Sequence, residues 1–229
     1  MSTNLLQLLH LCDSLLPVGG FSHSAGLETY VQERIITSKE TAKEFVARQL
    51  ALNICYTDAA LVSLAYDAAA DNNDYQTILR LDETCTSVKL PKEIRLASNK
   101  LGIRLLKIFE NHEAFFLPNK YKAAIGSQKA FGHYCIAFGL IAQALHIDKQ
   151  EALTGYYYNA ATSFITNAVK LIPLGQQDGQ DILMSLFSLI DELVQQSLSP
   201  CNEMIGFCCT GFDIRCMQHE QLYSRLYMS

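Results

Sequence analysis

The sequence contains no tryptophan, only five prolines in 229 residues, and no apolar run near the roughly 18 residues that a bilayer-spanning helix needs. Its best apolar stretch, Tyr134 to Ala142, is broken by Gln143, so a soluble chain is expected. The start, Met1-Ser-Thr-Asn4, has neither the basic region nor the apolar segment of a secretory signal, which places the protein in the cytoplasm. Charge is also scarce, at 18% against the roughly 25% usual for soluble domains, while apolar residues reach 49%. That balance predicts surface that association buries. Lys and Arg number 18 against 23 Asp and Glu, a net charge of -5, which excludes a general nucleic-acid binder working by phosphate neutralisation. The eight cysteines (12, 55, 85, 135, 201, 208, 209, 216) form no regular framework and read as reduced, mostly core residues.

What is present is helical periodicity. Prolines at 17, 91, 118, 173 and 200 leave two long proline-free intervals with apolar residues three and four apart. Thr37-Ser-Lys-Glu40 has the form of a capping box and opens a helix from about 38 into the fifties. Further helices are expected over 58–70 and 74–86, from Pro91 to near His112, over 128–146, from Asp148 to Pro173, and over 177–197. The strongest pattern pairs Ala152-Leu153, Tyr156-Tyr157, Ala160-Ala161, Phe164-Ile165 and Ala168-Val169, and predicts a buried central helix. Ala137, Gly139, Ala142 and Ala144 would let the preceding helix approach it closely. No repeat or flexible linker interrupts the chain, so the reading is all-α, a single-domain bundle of about 8–10 helices over residues 1–229.

Enzyme motifs fail where they can be checked. Gly19-Gly20 belongs to neither a P-loop nor a dinucleotide fingerprint, and His219-Glu220 would need a second histidine at Tyr223 to form a zinc hydrolase motif. Ser22-His23-Ser24 lacks an orienting third group. The tail brings soft ligand types close together in Cys208, Cys209, Cys216 and His219, the candidates for a metal site; the bland alternative is packing on a partner. Lys92, Arg95, Lys100, Arg104 and Lys107 lie mostly on one half of a helix, either as a solvated face or as a docking face for an acidic protein.

Three runs are more specific. Ser14-Leu-Leu-Pro-Val-Gly-Gly-Phe-Ser-His-Ser-Ala-Gly-Leu-Glu28 reads as a helix–turn–helix corner in which a hydroxyl opens the helix carrying Glu28. Lys170-Leu-Ile-Pro-Leu-Gly-Gln-Gln-Asp-Gly-Gln180 leaves one helix through Pro173 and re-enters another near Asp178. The third is Met217-Gln-His-Glu-Gln-Leu-Tyr-Ser-Arg-Leu-Tyr-Met-Ser229. In order, and spanning the chain, they resemble the signatures of UreF-type urease accessory proteins.

That resemblance implies an all-α, non-catalytic assembly factor for the nickel enzyme urease, without a cofactor of its own. It implies a homodimer that binds a second accessory protein, UreD (also called UreH), recruits the GTPase UreG and guides nickel into apo-urease. Carried onto this chain, the partner-binding positions are Phe21, Ser22 and Glu28 of the first run; Lys170, Gln176, Asp178 and Gln180 of the second; and His219, Glu220, Tyr223 and Arg225 of the third. The segment 206–229 is expected to become ordered on UreD/UreH. The clustered tail cysteines lie outside these signatures, and the competing reading is a direct nickel-binding metallochaperone that uses them.

Overall fold

A computed structural model describes residues 2–19, 24, 26–71, 74–110, 115–207, 209–223 and 225–226. They are helical, with no strand among them. The order is α1 (Ser2–Leu11), α2 (Leu27–Gln32), α3 (Lys39–Arg48), a π-helical stretch (Gln49–Ala59), α4 (Ala60–Ala70), α5 (Tyr75–Val88), α6 (Lys92–Ile108), α7 (Phe116–Gly126), α8 (Tyr134–Ala144), α9 (Lys149–Leu171), α10 (Gln176–Ser185), α11 (Phe187–Ser197), a 3-10 turn (Asn202–Met204) and α12 (Thr210–His219). None is long and apolar enough to cross a membrane.

Side-chain caps set several of the boundaries. Asp148 accepts the Gln150 N–H at 2.8 Å and so opens α9, and Asp74 accepts the Thr77 N–H at 3.1 Å to open α5. The α3 capping box lies one position later than its sequence pattern suggests. Ser38 is the N-cap, and Thr41 Oγ1, not Glu40, accepts the Ser38 N–H at 3.0 Å. Pro91 precedes α6 as its N-cap residue instead of forming its first turn. Two expected helices, 38 into the fifties and 58–70, are one unbroken rod, because i→i+5 bonding through Gln49–Ala59 joins α3 to α4. Conversely, the expected 177–197 helix breaks at Leu186 into α10 and α11.

α8 is buried along its entire face from Cys135 to Ala142, as a helix that is apolar all round must be. Its close approach is made to α4. A Cβ on Gly139 would lie 2.6 Å from the Val62 carbonyl oxygen, so the small-residue face meets α4 and not α9. Contact with α9 runs instead through rings: Tyr156 stands 5.9 Å from Tyr134 and 5.1 Å, edge-on, from Phe138. α9 is the central helix its periodicity indicates, packing on α10, α11, α3, α2 and α1. Asp82 of α5 fastens the loop before α8. Buried, it accepts the Tyr121 hydroxyl at 2.5 Å and the N–H groups of Phe131, Gly132 and His133 at 2.5, 3.2 and 3.2 Å.

Candidate functional site: a clasp between the first and last motifs

The first and third motifs meet although nearly 200 residues separate them. Gly26 begins α2 with φ +78°, and a Cβ there would lie 2.6 Å from Cys216 Sγ, so glycine serves both the turn and the approach of α12. Thr29 Oγ1 donates to the Arg215 carbonyl at 3.1 Å, and Phe212 and Cys216 are buried against this corner. Arg215 pairs with Glu33 and lies 5.9 Å from the centre of the Tyr30 ring. The hydroxyl expected to open α2 does not cap it. The N-cap is Gly26, without a side-chain bond, and Ser24 Oγ is buried with no hydrogen-bond partner among the described residues.

His219 closes the clasp. It is 0% exposed, with Nε2 3.1 Å from Glu28 Oε2 and Nδ1 3.1 Å from Glu93 Oε2, and Glu28 itself is only 2% exposed. A neutral imidazole has one N–H, so both contacts donate only when both ring nitrogens carry hydrogen. The outer oxygens are used as well: Arg225 Nη1 donates to Glu93 Oε1 at 2.9 Å, and the Leu226 N–H donates to Glu28 Oε1 at 2.9 Å. Glu93, in the first turn of α6, thus completes the cluster; sequence reasoning passed over it because attention there fell on the cations. Two of those cations are bound internally, Arg95 to the carbonyls of Lys89 and Leu90, and Arg104 to that of Val18. Lys92, Lys100 and Lys107 are exposed.

Of the remaining third-motif positions, Glu220 and Tyr223 are exposed, and so are Leu226, Ile214 and Met217. The second motif stands apart. Asp178 accepts the Gly175 N–H at 3.0 Å, which opens α10, and together with Asp181 it pairs with Lys39 of α3. Gly179 lets α10 lie close on α9, since a Cβ there would be 3.0 Å from Val169 Cγ2. Lys170, Gln176 and Gln180 are exposed. Phe21, Ser22 and Cys208 lie outside the described residues.

The metal candidates that are described are not arranged as ligands. Burial drives the Cys216 thiol pKa well above its ordinary value, the opposite of what a thiolate ligand needs, and both nitrogens of His219 already face carboxylates. Among the described residues no three His, Cys, Asp or Glu side chains are grouped so as to hold a metal ion. Beside the clasp a cavity of about 250 Å³ opens between α1, the π-helical stretch, α6 and α9, with Phe212 of α12 at its rim. Its polar wall is the buried pair of Lys89 Nζ and Asp58 Oδ2 at 2.7 Å, with the Tyr156 hydroxyl donating to Asp58 Oδ1 at 3.2 Å.

A family model described as UreF matches residues 36–187. The chain is 47% identical over 222 residues to a urease accessory protein UreF from Actinobacillus pleuropneumoniae serotype 5b, covering 97% of each. It is 48% identical over 227 residues to that of Haemophilus influenzae (strain ATCC 51907), covering 99% of this chain and 96% of the relative. A Bacillus sp. (strain TB-90) protein of the same name is 35% identical over 225 residues, covering 98% and 99%.

Proposed function

The chain belongs to the UreF family of urease accessory proteins, and from that premise we propose that it is a non-catalytic scaffold of nickel insertion. As a homodimer in the cytoplasm it binds UreD/UreH, and that pair recruits the GTPase UreG and guides nickel into apo-urease. The observation that carries the reading is the clasp. Its inner half, buried Glu28 and His219 with partly buried Glu93, holds α12 on α2 and α6, while Tyr223, Arg225 and Leu226 are left outward, as are Ile214 and Met217. Exposed large apolar groups and a guanidinium within one short C-terminal stretch suit recognition by another protein. The segment 206–229 gains its full stability when UreD/UreH covers that face.

A pull-down tests the scheme: the full chain should retain UreG when UreD/UreH is present and lose it when UreD/UreH is omitted. Retention of UreG with no second accessory protein would overturn the order of assembly. The metallochaperone alternative has less support, since Cys216 is held as a thiol and His219 is engaged on both sides. Tight nickel that disappears on substitution of Cys208, Cys209 and His219 would restore it.

A further inference from the structure

Away from the clasp, two buried cysteines face each other with their sulfurs in contact. Cys85 of α5 and Cys135 in the first turn of α8 have Sγ atoms 3.5 Å apart, and neither is exposed. Their backbones are tied together independently of the sulfurs: Asp82, one turn before Cys85, holds the N–H groups of Phe131, Gly132 and His133, the residues leading into Cys135. The His133 ring is fixed by Ser98 Oγ at 3.1 Å on Nδ1 and Thr86 Oγ1 at 2.8 Å on Nε2. Two thiols held in contact in this way are pre-positioned for a bond whose S–S length is about 2.05 Å.

We propose that Cys85 and Cys135 are a redox-active pair that a small peroxide such as hydrogen peroxide closes into a disulfide, stapling α5 to α8. Neither sulfur lines the neighbouring cavity, whose wall includes Lys89, one turn after Cys85, and Tyr134, next to Cys135, so a local opening of α5 against α8 admits the peroxide. Burial opposes ionisation of Cys85, but the S–H of Cys135, the His133 ring and nearby Lys89 outweigh it and lower its thiol, while burial pushes Cys135 up. With Cys85 as the attacking sulfur and Cys135 as the resolving one, and equally with the roles exchanged, the same disulfide forms.

The Cys85 thiolate attacks one peroxide oxygen, the O–O bond breaks, and the departing hydroxide takes the Cys135 proton to become water. Cys85 is then a sulfenic acid. The Cys135 sulfur attacks Cys85, the S–S bond forms, the S–O bond breaks, and the departing hydroxide leaves as a second water after taking up the proton that the Cys85 thiol had released to solvent. Two thiols and one peroxide give one disulfide and two waters, with two electrons passing from sulfur to oxygen. The staple would fix α5, and with it Lys89 in the cavity wall.

The test uses the full chain, reduced and then treated with hydrogen peroxide, denatured in an alkylating agent and digested without reductant. The expected product is a peptide joining Cys85 to Cys135, lighter by two hydrogens and released by dithiothreitol, also in a Cys201→Ser chain that lacks the thiol exposed among the described residues. Full alkylation of both Cys85 and Cys135 while Cys201 of the unsubstituted chain is oxidised would overturn the proposal, as would linkage of either one to a different cysteine. The wild-type peptide map decides even if Cys85→Ala or Cys135→Ala fails to fold.

Discussion

His219 is enclosed by Glu28 and Glu93 without solvent contact, so its replacement cannot be repaired by water in the way a surface ion pair can. In His219→Ala, buried Glu28 keeps the Leu226 N–H but loses the ring, and the C-terminal end of α12 loses its anchor while Thr29 and Glu33 still hold Arg215. The expected cost to α12 docking is about 2 kcal/mol, so amides of 210–219 should exchange roughly 30-fold faster while those of α8 and α9 are unchanged. Hydrogen exchange checks this, and equal loss of protection throughout would mean that the clasp holds the whole fold. Asp178 offers a pH-dependent contrast. The Gly175 N–H, and then Lys39, hold its carboxyl below the usual range, so its contribution is present above about pH 4 and is lost as pH falls through the lowered value. Wild type should therefore melt above Asp178→Asn at neutral pH, with the gap closing as pH falls through that lowered value. Melts that stay equally far apart in acid would point to a role other than the ionised cap.

Where helices touch, backbone proximity decides what is tolerated. Gly102 of α6 faces the strap that Asp82 fastens: a Cβ there would lie 2.1 Å from the Gly132 carbonyl oxygen and 2.7 Å from the carbonyl carbon of His133. These are main-chain atoms and no rotamer change relieves them, so Gly102→Ala should destabilise the fold by about 1–3 kcal/mol, seen as a lowered melting temperature. Gly126→Ala, with open space around it, is the control and should not do so. The longer helices were legible in the sequence because burial of one face writes itself as periodicity, as α9 shows, and Asp148 could be read as its cap, whereas the shorter α1, α7 and α12 were not. The break at Leu186 was not, since Ile182, Leu183, Leu186, Ile190 and Leu193 stay buried across it and the apolar pattern runs on unbroken. Nor was the π-helical stretch, whose i→i+5 bonding changes hydrogen-bond partners without a distinctive residue type. In the site, motif residues such as Glu28 and His219 stood out in their runs, whereas Glu93 is joined to His219 across 126 residues and left no local signal.

At the scale of the whole molecule, Arg225 separates holding the tail from presenting it. Its bond to Glu93 is a partly exposed ion pair, with side-chain exposures of 40% and 25%, and such pairs contribute about 0–1 kcal/mol. Loss of Arg225 therefore leaves the helical body and the His219 clasp in place. If the guanidinium faces UreG, its planar fork matters as well as its charge, and Arg225→Lys should fail almost as badly as Arg225→Ala in recruiting UreG while UreD/UreH still binds. Glu93→Gln removes the carboxylate shared by Arg225 and His219 but leaves the arginine itself, so it reports on the clasp. Under the docking reading Arg225→Ala loses UreG but keeps UreD/UreH; under a purely structural role it behaves as Glu93→Gln does, and both lose UreD/UreH together. Pull-downs of the three variants at physiological salt distinguish these outcomes, and full rescue by lysine would show that charge alone suffices.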